Sequence, residues 1–137
     1  MFNALDVSTS ALVAQRARLD VISSNLANIS TTRNEKGESV PYTPRYVTFQ
    51  TDTNLATSGG GQGVRVASVE TSNVEPSLKY DPGHPDANPE TGYVAYPNID
   101  MTTEFVDALE ATRAYEANIG VIEITKAMGQ QTLQILA

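Results

Sequence analysis

All seven prolines of this 137-residue chain fall between Pro41 and Pro97, and seven of its nine glycines fall between Gly37 and Gly92. Proline costs about 3 kcal/mol and glycine about 1 kcal/mol in a helix interior. The chain is therefore divided into a helical N-terminal segment, a breaker-rich middle and a helical C-terminal segment. It has one domain's worth of residues, and no internal repeat is evident.

Leu5, Leu12, Leu19 and Leu26 are seven residues apart, and Ile22 and Ile29 follow Leu19 and Leu26 by three. This is an a/d pattern, weakened in its first half by Ser8 and Gln15. Asn3 is the expected N-cap, with Asp6 in the first turns and Phe2 and Val7 placed as a hydrophobic staple. A helix from about residue 4 to 29 would be roughly 39 Å long. Its other faces carry small residues (Thr9, Ser10, Ala17, Ser23, Ser24, Ala27) where a surface helix would carry Glu and Lys. Small faces admit close neighbours on several sides.

The second helix is expected after Pro97-Asn98-Ile99, capped by Asp100 or Thr102, with Glu104 and Asp107 favourable in its first turns. Phe105, Thr112, Ile119, Lys126 and Leu133 form one row, and Ala108, Tyr115, Ile122, Gly129 and Leu136 form a second, each three residues further on. Ile124, Met128 and Ile135 fall outside both rows. After Glu116 the only charges are Glu123 and Lys126. Two paired helices bury one stripe each, so the remaining apolar faces imply completion in an assembly. The alternative is a middle region that folds back over both helices, but its composition is too polar for that.

In the middle, Arg45–Thr51 and Gly63–Glu70 alternate as strands do. The connection through Ser58-Gly59-Gly60-Gly61 is expected to be a mobile hairpin tip. The proline-rich stretch from Lys79 to Asn98 reads as extended, with Gly92–Tyr96 a candidate short strand. The expected class is mainly α with a small β part. Residues 1–32 and 99–137 form a discontinuous helical coiled-coil core, and 33–98 an extended and β-hairpin region.

Little chemistry is expected. The net charge of −7 argues against nucleic acid, since phosphate contacts need a basic face. There is no cysteine for a disulfide or thiolate. MFNALDVSTS lacks the basic and apolar regions of a cleavable secretory signal, and no apolar run is long enough for a transmembrane helix. The single histidine, His84, sits among Asp81 and Asp86, but zinc sites usually need three or four protein ligands. The bland reading is a proline-stiffened loop with local hydrogen bonds. Gly59-Gly60-Gly61-Gln62-Gly63 lacks the Lys-Ser/Thr of a P-loop. Glu110/Arg113 and Glu123/Lys126 have the spacing of surface ion pairs. No catalytic residue, cofactor or metal is expected.

Ser24-Asn25-Leu26-Ala27-Asn28, preceded by the leucine heptads, resembles the N-terminal signature of bacterial flagellar basal-body rod and hook proteins. Arg113-Ala114-Tyr115-Glu116-Ala117-Asn118 resembles the Arg-x-Tyr-x-Ala-Asn element of their C-terminal helix. Tyr80–Ala87 and Gly92–Asn98 narrow the resemblance to the short proximal-rod subunits of that family. Gln130-Gln131 departs from it, where a basic residue is expected. The resemblance implies terminal helices paired as a coiled-coil domain, unfolded in the free monomer and packed against neighbours in a tube. That tube crosses the periplasm and carries torque from motor to hook. It also implies export without a cleaved signal through the flagellar type III apparatus.

The implied partners are copies of the chain, proximal and distal rod subunits, the hook-basal-body adaptor protein at the rod base and the export apparatus. A soluble helical adaptor or export chaperone is the competing reading. Candidate inter-subunit packing residues are Leu5, Leu12, Leu19, Ile22, Asn25, Leu26, Asn28 and Ile29 on the first helix. On the second they are Phe105, Leu109, Arg113, Tyr115, Asn118, Ile119, Ile122, Leu133 and Leu136. Asn25 is expected to fix register by demanding a matching partner. Asn28 is expected to do this or to end the helix in the left-handed conformation.

Overall fold

The structure, a computed structural model, describes residues 2–57 and 59–136, and of Phe2 the backbone alone. Helix α1 spans Phe2–Ala27 and helix α2 spans Met101–Leu136. Between them lie two antiparallel hairpins: β1 (Arg45–Asp52) with β2 (Gly63–Thr71), and β3 (Ser77–Tyr80) with β4 (Tyr93–Tyr96).

α1 and α2 run antiparallel, which places Asn25 beside Glu104 and Arg18 beside Asp107 and Glu110. The β1–β2 hairpin lies along α1 and leaves α2 uncovered, so α2 meets the rest of the chain mainly through α1. The middle region thus folds back over one helix only.

One expected cap is found and the other is not. Asp100 caps α2, accepting Thr102 N–H at 2.9 Å and the Thr103 hydroxyl at 2.9 Å; Thr102 does not take that place. The Thr103 hydroxyl, then the Thr102 amide, hold the Asp100 carboxyl below the usual aspartate range. Asn3 is not a cap, because α1 already includes Phe2 and Asn3. A cap contributes only about 1 kcal/mol, less than the packing of α2 and the hairpin along the helix. The proposed Phe2–Val7 staple lies outside the described residues.

α1 ends without a left-handed residue, since among the described residues only glycines have positive φ. The Asn28 side-chain amide instead donates to Ser24 C=O at 2.9 Å, beside its own N–H at 3.1 Å. Asn28 Oδ1 then accepts the Thr31 hydroxyl at 3.1 Å. The asparagine stops the helix by satisfying an end carbonyl.

In the first hairpin Thr48 pairs with Ser68 and Phe49 with Val66, so Ala67 is the extra residue of a bulge. Val64 N–H donates to Ser10 Oγ at 3.1 Å, pinning β2 to α1. Gly63 permits that approach: a Cβ there would lie 2.8 Å from Leu55 Cβ and 3.2 Å from Ser10 Oγ. The tip is bonded across Thr57 N–H to Gly61 C=O at 2.7 Å, while Ser58 lies outside the described residues. Only Lys79 and Tyr80 of β3 lie in the stretch that the sequence marks as extended. β3 is a strand because Tyr80 pairs with Tyr93 and Leu78 with Ala95 across the proline-rich turn, a partnership no local pattern carries. Gly92, with φ +73°, closes that turn.

Candidate assembly interface

The described residues hold few buried apolar side chains. Ala14, Ile22, Val94 and Ala111 are buried, with Ser8, Asn25 and Thr32 the buried polar ones. A compact monomer of 14.7 kDa exposes about 6,900 Å². This chain exposes 9417 Å², about 2,500 Å² more.

The seam between the helices explains part of the excess. On α2 the covered row is Glu104, Ala108, Ala111, Tyr115, Asn118 and Ile122, all buried or half-buried. Ala111 is 0 % exposed, whereas Phe105 is 54 % and Ile119 37 % exposed. The row through Ala108, Tyr115 and Ile122 thus faces α1 as expected. The row through Phe105, Thr112 and Ile119 does not; its place is taken by the residues one position earlier, Glu104, Ala111 and Asn118. Helices that approach closely need small side chains between them, and Ala14 and Ser8 supply these on α1. The large side chains are turned outward. On α2 these include Phe105, Val106, Leu109, Val121, Ile124, Met128 and Ile135.

On α1 the leucine row Leu5, Leu12, Leu19 and Leu26 is half-buried, as are Asn28 and Ile29, while Ile22 is buried. Arg113, Leu133 and Leu136 are exposed. The expected Glu110/Arg113 and Glu123/Lys126 pairs are not among the ion pairs of the described residues. Arg18 instead reaches across the seam to Asp107 at 3.4 Å and Glu110 at 3.7 Å. Asn118 is half-buried and returns its amide to Ala114 C=O at 2.8 Å.

Asn25 has its matching partners within the chain. It is 2 % exposed. Its Nδ2 donates to Arg45 C=O at 2.8 Å, and its Oδ1 accepts Arg45 N–H at 3.0 Å. The side-chain amide therefore pairs with the first residue of β1 as a neighbouring strand would. Oδ1 also accepts the Tyr42 hydroxyl at 3.1 Å, and Nδ2 reaches Glu104 Oε1 at 3.3 Å. One asparagine joins α1, β1 and the first turn of α2. Burial pushes the Glu104 carboxyl up, the Asn25 bond opposes this, and the nearby Asp107 charge adds to it. Tyr42, Arg45 and Glu104 carried no signal of this role in the sequence, because their partners are distant along the chain.

A second polar knot holds the proline-rich turn. The buried Asp86 carboxylate accepts the Thr32 hydroxyl at 2.8 Å and Arg33 Nε at 2.6 Å. The Thr32 bond, with Arg33 assisting against the cost of burial, holds Asp86 below the usual aspartate range. His84 Nδ1 accepts Asp86 N–H at 3.1 Å, and its ring packs edge-on to Tyr96. His84 thus serves the loop's own hydrogen bonding.

Between α1, β1 and the start of α2 lies a groove of about 330 Å³, lined by Val21, Ile22, Val47, Phe49, Arg45 and Glu104 among others. No helix among the described residues is long and apolar enough to cross a membrane.

Comparison with known proteins decides the family. A family model described as flagella basal body rod protein matches residues 5–33. A second, for the C-terminal part of flagellar basal-body rod FlgEFG proteins, matches residues 90–135. The flagellar basal-body rod protein FlgC of Bacillus subtilis is 44% identical, covering 98% of this chain and 97% of its own. The chain belongs to the FlgC family of flagellar basal-body rod proteins. FlgC of Borreliella burgdorferi is 41% identical over 99% of this chain and 97% of its own. FlgC of Salmonella typhimurium is 42% identical over 98% and 97% respectively. Within that family α2 is the C-terminal rod helix, and the Asn25 junction lies inside the N-terminal rod segment.

Proposed function

We propose that this FlgC-family chain is a structural subunit of the proximal rod, built into a tubular drive shaft through its terminal helices. The shaft passes torque from motor to hook and encloses the export channel. The observation that carries this reading is the outward display of large apolar side chains on a 36-residue helix that only α1 covers. The excess exposed area exceeds the 1,200–2,000 Å² or so that a stable protein interface buries in total. A stiff pair of long helices, tied to β1 at Asn25, suits an element that must carry load without bending at its join.

On this reading residues 1–32 and 99–137 form the packed core and 33–98 the region around it. Neighbours are copies of the chain and other proximal and distal rod subunits, with the hook-basal-body adaptor protein at the base. Delivery is by the flagellar type III apparatus, without a cleaved signal, to a rod crossing the periplasm. Phe105→Ser with Ile119→Ser tests the reading, because both side chains lie outside the intrachain seam. The expected result is an exported chain that no longer enters basal bodies, with loss of motility. Normal basal bodies and motility would overturn it.

A further inference from the structure

α2 is 36 residues long and α1 is 26. Because Asn25 meets Glu104 near one end of the pair, about ten residues of α2, or about 15 Å, run past the start of α1 at the other. All of residues 130–136 are exposed. This projecting end is uncharged after Lys126 and continues the covered row of α2: Gly129, Leu133 and Leu136 follow Ile122 at helical spacing. The stripe that α1 covers therefore extends, still apolar, beyond α1.

At the opposite end of the molecule lies the groove lined by Val21, Ile22, Val47 and Phe49; of its charged lining, Asp107 is paired with Arg18 and Glu104 is held by Asn25, which leaves Arg45. The Arg45 backbone is held by Asn25, but its guanidinium makes no ion pair or hydrogen bond among the described residues. The far end of α2 is its electrostatic complement. A helix C-terminus has unpaired carbonyls and a partial negative charge, and α2 has no basic residue in its last turn.

We propose that the projecting end of α2 seats in the groove of a second copy of this chain, head to tail. Leu133 and Leu136 fill the space beside Phe49, and the end carbonyls meet Arg45. The two surfaces differ, so the contact is heterologous and each copy can both offer and receive it, extending the assembly by repetition. This rests on the rod-subunit reading and names a contact by which it is built.

The absence of cysteine makes the test clean. A full-length chain carrying Leu133→Cys and Phe49→Cys is mixed with the other rod subunits and oxidised, and its sedimentation is measured in parallel. Some 26 residues of helix, about 39 Å, separate Leu133 from Asp107 at the groove. A disulfide needs Cα atoms within about 7 Å, so an intrachain bond is excluded. The expected result is a ladder of disulfide-linked multimers, absent from a control pairing Leu133→Cys with Val74→Cys, which is exposed outside the groove. Arg45→Ala in the groove-pair chain should weaken association roughly two- to fivefold. Large particles with no ladder above the control would overturn this contact and leave the rod reading standing. No particles and no ladder would overturn both.

Discussion

Replacing Asn25 by leucine keeps the branching and heavy-atom count of the side chain and improves local helix propensity. A purely helical account therefore predicts little harm. The geometry predicts otherwise. Arg45 N–H and C=O, at 3.0 Å and 2.8 Å from the amide, both lose their partner. The leucine occupies the space through which water would have to reach them. Each unsatisfied backbone group costs about 1–3 kcal/mol, so the expected loss is about 2–6 kcal/mol. The Tyr42 hydroxyl and the Glu104 carboxylate can turn to solvent, and add little. The loss should appear at the junction of β1 with α1 rather than in helix content. Urea unfolding followed by tyrosine fluorescence, with exchange of the Arg45 amide, reads it. Asn25→Asp sharpens the test. It keeps an acceptor for Arg45 N–H and Tyr42 but sets a second carboxylate beside Glu104, so it should be worst at neutral pH and recover as acid supplies a proton. An Asn25→Leu chain within about 0.5 kcal/mol of the parent, the range of ordinary surface substitutions, would refute the reasoning. So would an Asn25→Asp chain whose deficit ignores pH.

Other consequences follow from single contacts. Glu104 holds its proton to higher pH in the folded chain than the ordinary glutamate value of 4.5, so its ionisation costs stability as pH rises through the window just above that value. Glu104→Gln should melt at a slightly higher temperature than the parent at neutral pH and no higher below that window, as followed by circular dichroism. Gly63→Val should destabilise by about 1–3 kcal/mol, because its Cβ would meet Leu55 at 2.8 Å; chemical denaturation measures this. Asp86 is shifted the other way, so its latch should hold at neutral pH and be lost only as pH falls below the ordinary value of 3.8. Thr32→Val should raise the Asp86 pKa, read by NMR titration, and speed amide exchange across residues 82–89.

The elements that local chemistry dictates were legible in the sequence. The proline and glycine distribution marked both helices, Asp100 marked the start of α2, and alternation marked β1 and β2. What was not legible depended on partners far along the chain. Periodicity locates a row of large apolar residues, but not which way that row faces. In α2 the row through Phe105 and Ile119 is turned outward, because a close seam selects Ala111 over a larger neighbour. The motif around Asn25 pointed to a packed asparagine. Its partner proved to be the Arg45 backbone, which offers the same donor and acceptor that any neighbouring chain would. β3 escaped notice for the same reason, since four exposed residues pair with Tyr93–Tyr96 only across a folded turn.

The central claim is that the apolar side chains turned outward on α2 are there for neighbouring subunits. Circular dichroism with sedimentation of the dilute purified chain, alone and then mixed with other rod subunits, tests it most directly. The account predicts a small species when the chain is dilute and alone, converting to large particles on mixing. A stable small oligomer, unchanged by mixing, would contradict it and would fit a soluble helical adaptor.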